Sequence, residues 1–459
     1  MNSIYNWLFK SLCLFAVVSF LKVVGANIFL GLSTLLFLAF LAKNREYSIA
    51  EDKVPFCKAI MVFTVALLIS ALFSGHIGSG LKVWSEYFLW RFMPFLIVIT
   101  LFDERLKAEK LLGAVFCGFV IDCLYAIYWS FFVFKGKFDW IRAAGFVGHP
   151  MTLAGWACIL LPILLVYMFR NDIFKKRKSL VYFVFIVGVI ALLFNATRGA
   201  WLALAIVLPL MIVLLIGNNK KLVMICMTIV LVAGVVLVNN ASFMKRINSI
   251  TDTKNVSNAS RFVIWDASLS MFKEHSILGV GLGQYKFVYR NDYMNPKLEE
   301  QRVILKKLNS FQKLKKTEQD AVLKSPVNLW KLQGFKKLTK QEKNELVKAY
   351  KDFRFAHSLI ELTHAHNNII QMLAENGIIG CMGYLFAFGY ILWSNIKNYF
   401  ANKNPYALMI VGSTGALLLQ GLTEYNFGNG AVMKIYWLVL ACLLVLASNY
   451  NKEESNKVN

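Results

Sequence analysis

Long unbroken runs of apolar residues organise this chain. Twelve have the length of a membrane-crossing helix, ~20 residues. They fall at 8–24, 26–42, 56–73, 84–102, 111–134, 150–169, 180–195, 199–216, 222–238, 366–394 (apolar from 376), 406–424 and 431–448. This predicts an all-α polytopic membrane protein with about twelve transmembrane helices. The long polar gap at 239–364 exceeds a bare connector and is expected to be functional. Inside it, Thr339 to Glu342 has the form of a capping box, and Leu346, Tyr350 and Phe353 follow at helical intervals. Residues 261–273 predict a second amphipathic helix, with Ser260 as N-cap and Phe262, Trp265, Leu269 and Phe272 as its apolar positions. The chain thus divides into helices one to nine (1–238), a large helical loop (239–364) with a Lys-rich insertion at 291–356, helices ten to twelve (365–448) and a tail (449–459).

Composition sharpens this. The chain is 58% hydrophobic and 17% charged, with mean hydropathy +0.54. A soluble domain averages ~45–50% apolar and about 25% charged. A soluble enzyme, a disordered chain and a nucleic-acid-binding domain are excluded. The net charge of +24 then points to an anionic bilayer rather than to nucleic acid. With the N-terminus inside, the inner segments carry 18 Lys and Arg and the short outer loops 6. Both termini are therefore expected to be cytoplasmic. The 239–364 loop falls outside despite its 23 basic and 12 acidic residues, because long loops translocate regardless of charge. The eight cysteines lie in or beside apolar segments, which predicts buried thiols rather than a disulfide framework. Residues 8–24 lack a small-residue cleavage site and read as a retained first helix.

Several polar groups share the outer side. Arg198 lies in a Thr-Arg-Gly turn between the seventh and eighth helices; Arg261 precedes Trp265 and the run Gly279-Val280-Gly281-Leu282-Gly283. His364, His366, Asn367, Asn368, Gln371 and Glu375 gather where the chain re-enters the membrane, and Asn367, Gln371 and Glu375 would share one helix face. Arg142, His149 and Glu424 are further outer-side candidates. Glu86, Arg91 and Asp122 are intramembrane charges, functional by default but equally able to serve as structural partners. His364 and His366 would make a poor metal pair on a helix, and the outer side offers no Asp-x-Asp pair, so no metal is expected.

These residues resemble a known family. His366-Asn367, nine residues, Gly377, two residues and Gly380 matches the H-[NSQ]-x9-G-x-x-G pattern of bacterial O-antigen ligases. The Thr-Arg-Gly turn, Arg261 with Trp265, the glycine run and the twelve-span layout extend the resemblance over roughly 84–285 and 357–448. It implies a GT-C-like membrane glycosyltransferase of the inner membrane. Such an enzyme moves a glycan from undecaprenyl diphosphate to lipid A–core oligosaccharide at the periplasmic face, without cofactor or metal. The family's essential residues would be Arg198, Arg261 and His366, with Arg142, Asn367, Gln371 and Glu424 as substrate-binding candidates. The expected partners are the lipid-linked glycan, lipid A–core or another anionic glycolipid, and membrane lipids.

The chemistry fits. A lipid diphosphate is an activated leaving group, and its departure needs fixed positive charge where negative charge develops. Arginine supplies that charge bidentately. The acceptor hydroxyl needs a base, either His366 or Glu424. A polymerase or a protein-glycosylating ligase of the same superfamily fits the same residues. A transporter would instead gather its polar groups near the midplane.

Overall fold

A computed structural model describes residues 2–44, 49–133, 142–171, 173, 178–217, 241–249, 252, 255–324 and 326–458. Every regular element among them is helical. The bundle begins with α1 (Asn2–Val18), α2 (Val23–Lys43), α3 (Val54–Leu72), α4 (Ile77–Ser85), α5 (Met93–Leu101) and α6 (Arg105–Tyr128). It continues through α7 (Pro150–Phe169), α8 (Lys178–Asn195) and α9 (Arg198–Ile216). The loop carries α10 (Ala241–Asn248), α11 (Val256–Glu274), α12 (Asn295–Lys307), α13 (Lys316–Lys324) and α14 (Lys340–Ile360), besides shorter turns. The chain ends with α15 (Asn368–Asn402), α16 (Pro405–Gln420) and α17 (Gly430–Val458). By length and apolarity, α2, α3, α6, α7, α8, α9, α15 and α17 can cross a membrane; α1 and α16 are shorter apolar helices.

Most predicted runs correspond to these helices, with two differences. The run 84–102 is broken into α4, a π-helical turn at Glu86–Arg91, and α5. Pro94 opens α5; lacking an N–H, it cannot continue the preceding helix. The first helix lies at Asn2–Val18 rather than 8–24, because its polar first turn joins the helix and a turn at 19–21 ends it. The predicted helix 222–238 lies outside the described residues, as do Arg45, Lys135, Lys137 and several other basic residues used to orient the chain.

Two hydrophobic cores organise the molecule. In the bundle, α7 and the apolar part of α17, as far as Ser448, are buried at almost every position, as helices apolar all round must be. Outward-facing Leu35, Met61, Leu210 and Trp393 stay exposed, as expected of surfaces meeting lipid. The second core belongs to the loop: Ile264, Met271, Phe311, Phe335, Leu346 and Phe353 enclose each other. The Thr339–Glu342 capping box forms as predicted, opening α14. Helix α11 begins five residues earlier than predicted, with Asn255 as N-cap. Its buried face is Ile264, Ala267, Ser268 and Met271, whereas Phe262 and Leu269 are exposed.

The cores join at α15. Gly377 interrupts this helix with φ +62°, ψ −163°. The glycine-run segment fills the break: Val280 N–H donates to Ala374 O (3.0 Å), Gly281 N–H to Glu375 O (2.9 Å) and Ile378 N–H to Ser276 O (2.8 Å). A Cβ on Gly377 would collide with the Ile277 carbonyl, so glycine is required both for φ and for contact.

Candidate active site

Three chain turns meet where the loop sits on the bundle: 195–199, 361–367 and 421–429. Three described non-glycine residues have positive φ, namely Ala196 (+54°), His366 (+51°) and Lys403 (+50°). Lys403 is the left-handed C-cap of α15, an ordinary use of that conformation. The other two lie in the turns that carry the candidate residues. Strained backbone of this kind costs ~1–3 kcal/mol and clusters at functional sites.

Asn195 builds the first turn. Fully buried at the end of α8, it donates through Nδ2 to Ala143 O (2.5 Å) and Pro150 O (2.8 Å). Its carbonyl accepts from Arg142 Nε (3.1 Å). Thr197 donates its hydroxyl to Asn195 Oδ1 and accepts from Arg142. Arg198 then opens α9 and donates to Asn258 Oδ1 (2.9 Å) and to the Ser249 carbonyl. A Cβ on Gly199 would run into the Thr423 hydroxyl, so this glycine lets the 421–429 turn approach.

Arg261, on α11, donates to Thr423 O (2.9 Å). Arg142, Arg198, Arg261, Thr423 and Glu424 line one cavity of about 40 Å³. Glu424 reaches out of it to His366, with its Oε2 3.1 Å from His366 Nδ1. Burial pushes the Glu424 carboxyl up, but His366, His364 and Arg261 together hold it below the ordinary carboxylate range. Burial and the neighbouring His366 push His364 down to about 4, so its imidazole is neutral at neutral pH. With Glu424 ionised, His366 Nδ1 is the donor in that hydrogen bond, which turns Nε2 away from Glu424.

The structure thus brings Arg142, Arg198, Arg261, Glu424 and His366 together. Asn367 and Gln371 make bonds within the chain. Asn367 caps α15, accepting from Ile369 and Ile370 N–H (2.9 and 3.1 Å), and donates to Leu422 O (2.8 Å). Gln371 is 2% exposed and bonds Ala365 N–H and Glu375. Both amides are consumed within the chain. The intramembrane charges are structural partners as well. Arg91 pairs with Glu86 (2.6 Å), and Asp122 Oδ1 accepts from Phe146 N–H (2.7 Å). Sequence reasoning missed Asn195 and Thr423. A buried asparagine ending an otherwise apolar run was the available signal for Asn195; Thr423 gave none.

His364 and His366 precede α15 rather than sharing a helix, which removes the spacing argument against a metal pair. With Glu424 they place three ligand atoms within 4.8 Å, a donor set able to hold a transition ion. Against that use, His364 Nδ1 already accepts from His366 N–H (3.2 Å), and Arg261 repels cations from Glu424. The surplus of positive charge suits an anion better.

Among curated proteins, the chain is similar to ATP synthase subunit a of Coxiella burnetii, strains Dugway 5J108-111 and RSA 331 / Henzerling II. Each is 34% identical over 89 residues, covering 18% of this chain and 34% of the relative. The chain thus spans about a third of the length of these relatives, a partial likeness that carries no function across. A family model described as O-antigen ligase matches residues 183–305. That stretch contains the 197–199 turn, Arg261 and the glycine run, and stops short of His366 and Glu424. This match, over about a quarter of the chain, supports a membrane enzyme of the O-antigen ligase/polymerase superfamily.

Proposed function

We propose that the protein transfers an O-antigen-type glycan from undecaprenyl diphosphate to lipid A–core oligosaccharide, at the periplasmic face of the inner membrane. The carrying observation is the meeting of three guanidinium groups with Glu424 around one cavity, with His366 held on the Glu424 carboxylate beside it. On this reading both termini are cytoplasmic and the 239–364 loop is periplasmic. Arg198 and Arg261 hold the diphosphate, and Arg142 supports them. The cavity has room for a few waters only, so the diphosphate displaces Arg198 from Ser249 and Asn258.

The acceptor hydroxyl attacks the anomeric carbon. The bond from that carbon to the phosphate oxygen breaks, its electron pair leaves with undecaprenyl diphosphate, and the hydroxyl proton passes to His366 Nε2. Glu424 stabilises the imidazolium so formed. Its own low proton affinity makes it the poorer base, which favours His366. A single displacement inverts the anomeric configuration. The residues supply every charge the step needs, so activity should persist in a strong chelator; loss restored by Mg2+ would overturn the metal-free reaction.

The test is a comparison of cell-envelope glycolipids with and without the gene. Lipid-linked polymer should accumulate while mature glycolipid disappears. Short single-repeat glycolipid would mark a polymerase instead, and unchanged lipopolysaccharide with a lost glycoprotein would mark a protein-glycosylating ligase. A transporter is disfavoured because the polar groups around the cavity lie at helix ends and in turns, not along the bundle interior.

A further inference from the structure

We infer that Gln371, Glu375 and Trp265 are positioning residues for His366: they clamp the Ala365 peptide and so hold His366 in its left-handed turn against Glu424. The inference rests on His366 being the proton acceptor proposed above. Ala365 is fully buried, and its peptide groups are held from opposite directions. Its N–H donates to Gln371 Oε1 at 2.7 Å. Its carbonyl accepts from Trp265 Nε1 at 2.8 Å. That carbonyl belongs to the peptide plane containing the His366 nitrogen, so fixing it fixes one side of the bond about which His366 φ turns. The other side is pinned by Asn367, bonded to Leu422 O and to the first turn of α15. A strained φ persists only where its surroundings over-determine it, and these contacts do so.

The clamp is anchored in the loop. Gln371 Nε2 donates to Glu375 Oε2 at 3.0 Å, and Glu375 Oε1 accepts from Gly283 N–H at 2.7 Å. A continuous chain therefore runs from the glycine run through Glu375 and Gln371 to Ala365. Glu375 and Gln371 are 5% and 2% exposed, so neither touches substrate. Trp265 and Arg261 lie one helical turn apart on α11, so one helix both orients the base and lines the anion cavity.

The polarity of the chain makes the test sharp. Gln371→Glu sets two carboxylates against each other, and Glu375→Gln sets two amides against each other. The double variant Gln371→Glu/Glu375→Gln restores the bond between the two side chains with its direction reversed, leaves an oxygen to accept from each of the Ala365 and Gly283 N–H groups, and keeps the charge. With purified protein, each single variant should lose kcat by about 100-fold, the size of effect that a misplaced catalytic group produces, with the KM for the lipid-linked glycan little changed. The double variant should recover to within a few-fold of wild type. Trp265→Phe keeps the ring packing, removes one N–H, and should lower kcat without moving KM. The clamp is overturned by wild-type kcat in these variants, by a loss confined to KM, or by a double variant no better than the singles. His366→Ala runs alongside. Lost transfer there with full activity in the clamp variants sinks the clamp alone, whereas retained transfer there sinks the role of His366 and the clamp with it.

Discussion

Two arginines grip the same turn, 421–429, from its two ends. Arg91 donates to Phe427 O (3.1 Å) and Gly428 O (2.9 Å), pairs with Glu86 and lies over the Tyr87 ring at 4.4 Å. Arg261 donates to Thr423 O and faces the cavity beside Arg198 and Glu424. Arg91 has its charge and most of its donors answered by the protein. Arg261 leaves most of its fork on a cavity wall, where burial lowers its affinity for the proton, so an anion would be a welcome partner. Charge alone does not separate the two; how many of the donors the chain itself occupies does.

The largest effect expected from this contrast is on transfer. Arg261→Ala and Arg198→Ala should each cost about 10²–10³-fold in kcat, typical for a lost charge-stabilising group, at normal protein levels. Arg261→Lys should also be impaired, since lysine lacks the planar fork. Full transfer in both alanine variants would return these arginines to the class of Arg91. Next is Arg91→Met, which orphans one buried and one half-buried carbonyl and should cost about 2–4 kcal/mol of stability. It should be seen as lost yield and earlier unfolding in detergent, while the folded fraction keeps its kcat to within a few-fold. A variant of normal stability with abolished transfer would erase the contrast.

A third effect is pH-dependent. His364 is held at about 4 against an ordinary value of about 6.5, so below 6.5 the unfolded chain binds more protons than the folded one. Stability should therefore fall as pH drops from about 6.5 towards 4, and Glu424, held low, adds to the loss as it protonates. Unfolding midpoints measured across that range should fall less in His364→Asn than in wild type; parallel curves would remove His364 from the account. The smallest effect concerns Lys315, Lys316, Lys336 and Lys337, all exposed. Glu318 draws their two segments together, accepting from Lys315 N–H and Gly334 N–H. On the reading that this face docks anionic acceptor phosphates or headgroups, each lysine adds up to about 1 kcal/mol, screened by salt. Reversing the four charges should weaken acceptor binding, and so should raised salt. Binding indifferent to both would leave the insertion without this role.

Much of the bundle was readable because lipid-facing and buried helices alike must be apolar, and a run of such residues has few other uses. The break at Glu86–Arg91 was not, since Pro94 sits inside an apolar run and composition does not register a missing N–H. The amphipathic face of α11 was misjudged because Phe262 and Leu269 look like core by type, whereas the main partner that decides burial, α15, lies far along the chain. At the site, Arg198, Arg261 and His366 stood out as costly polar groups near the membrane. Their supports, Asn195 and Thr423, act through main-chain contacts that spacing does not record. Asn367 and Gln371 carried the signal for proximity but not for their bonds within the chain, because an amide that caps a helix and one that meets a substrate look alike in sequence.

The break at Gly377 also acts as a ruler. Nine helical residues separate it from Asn367, about 14 Å at 1.5 Å per residue. The reactive end of that segment is fixed by the 421–429 turn, and its far end by the main-chain pairing with 276–281. Inserting or deleting one residue between 368 and 376 would turn one end by about 100° relative to the other, and no side-chain change could compensate. Substitutions in this segment should therefore be tolerated far more often than any change in its length.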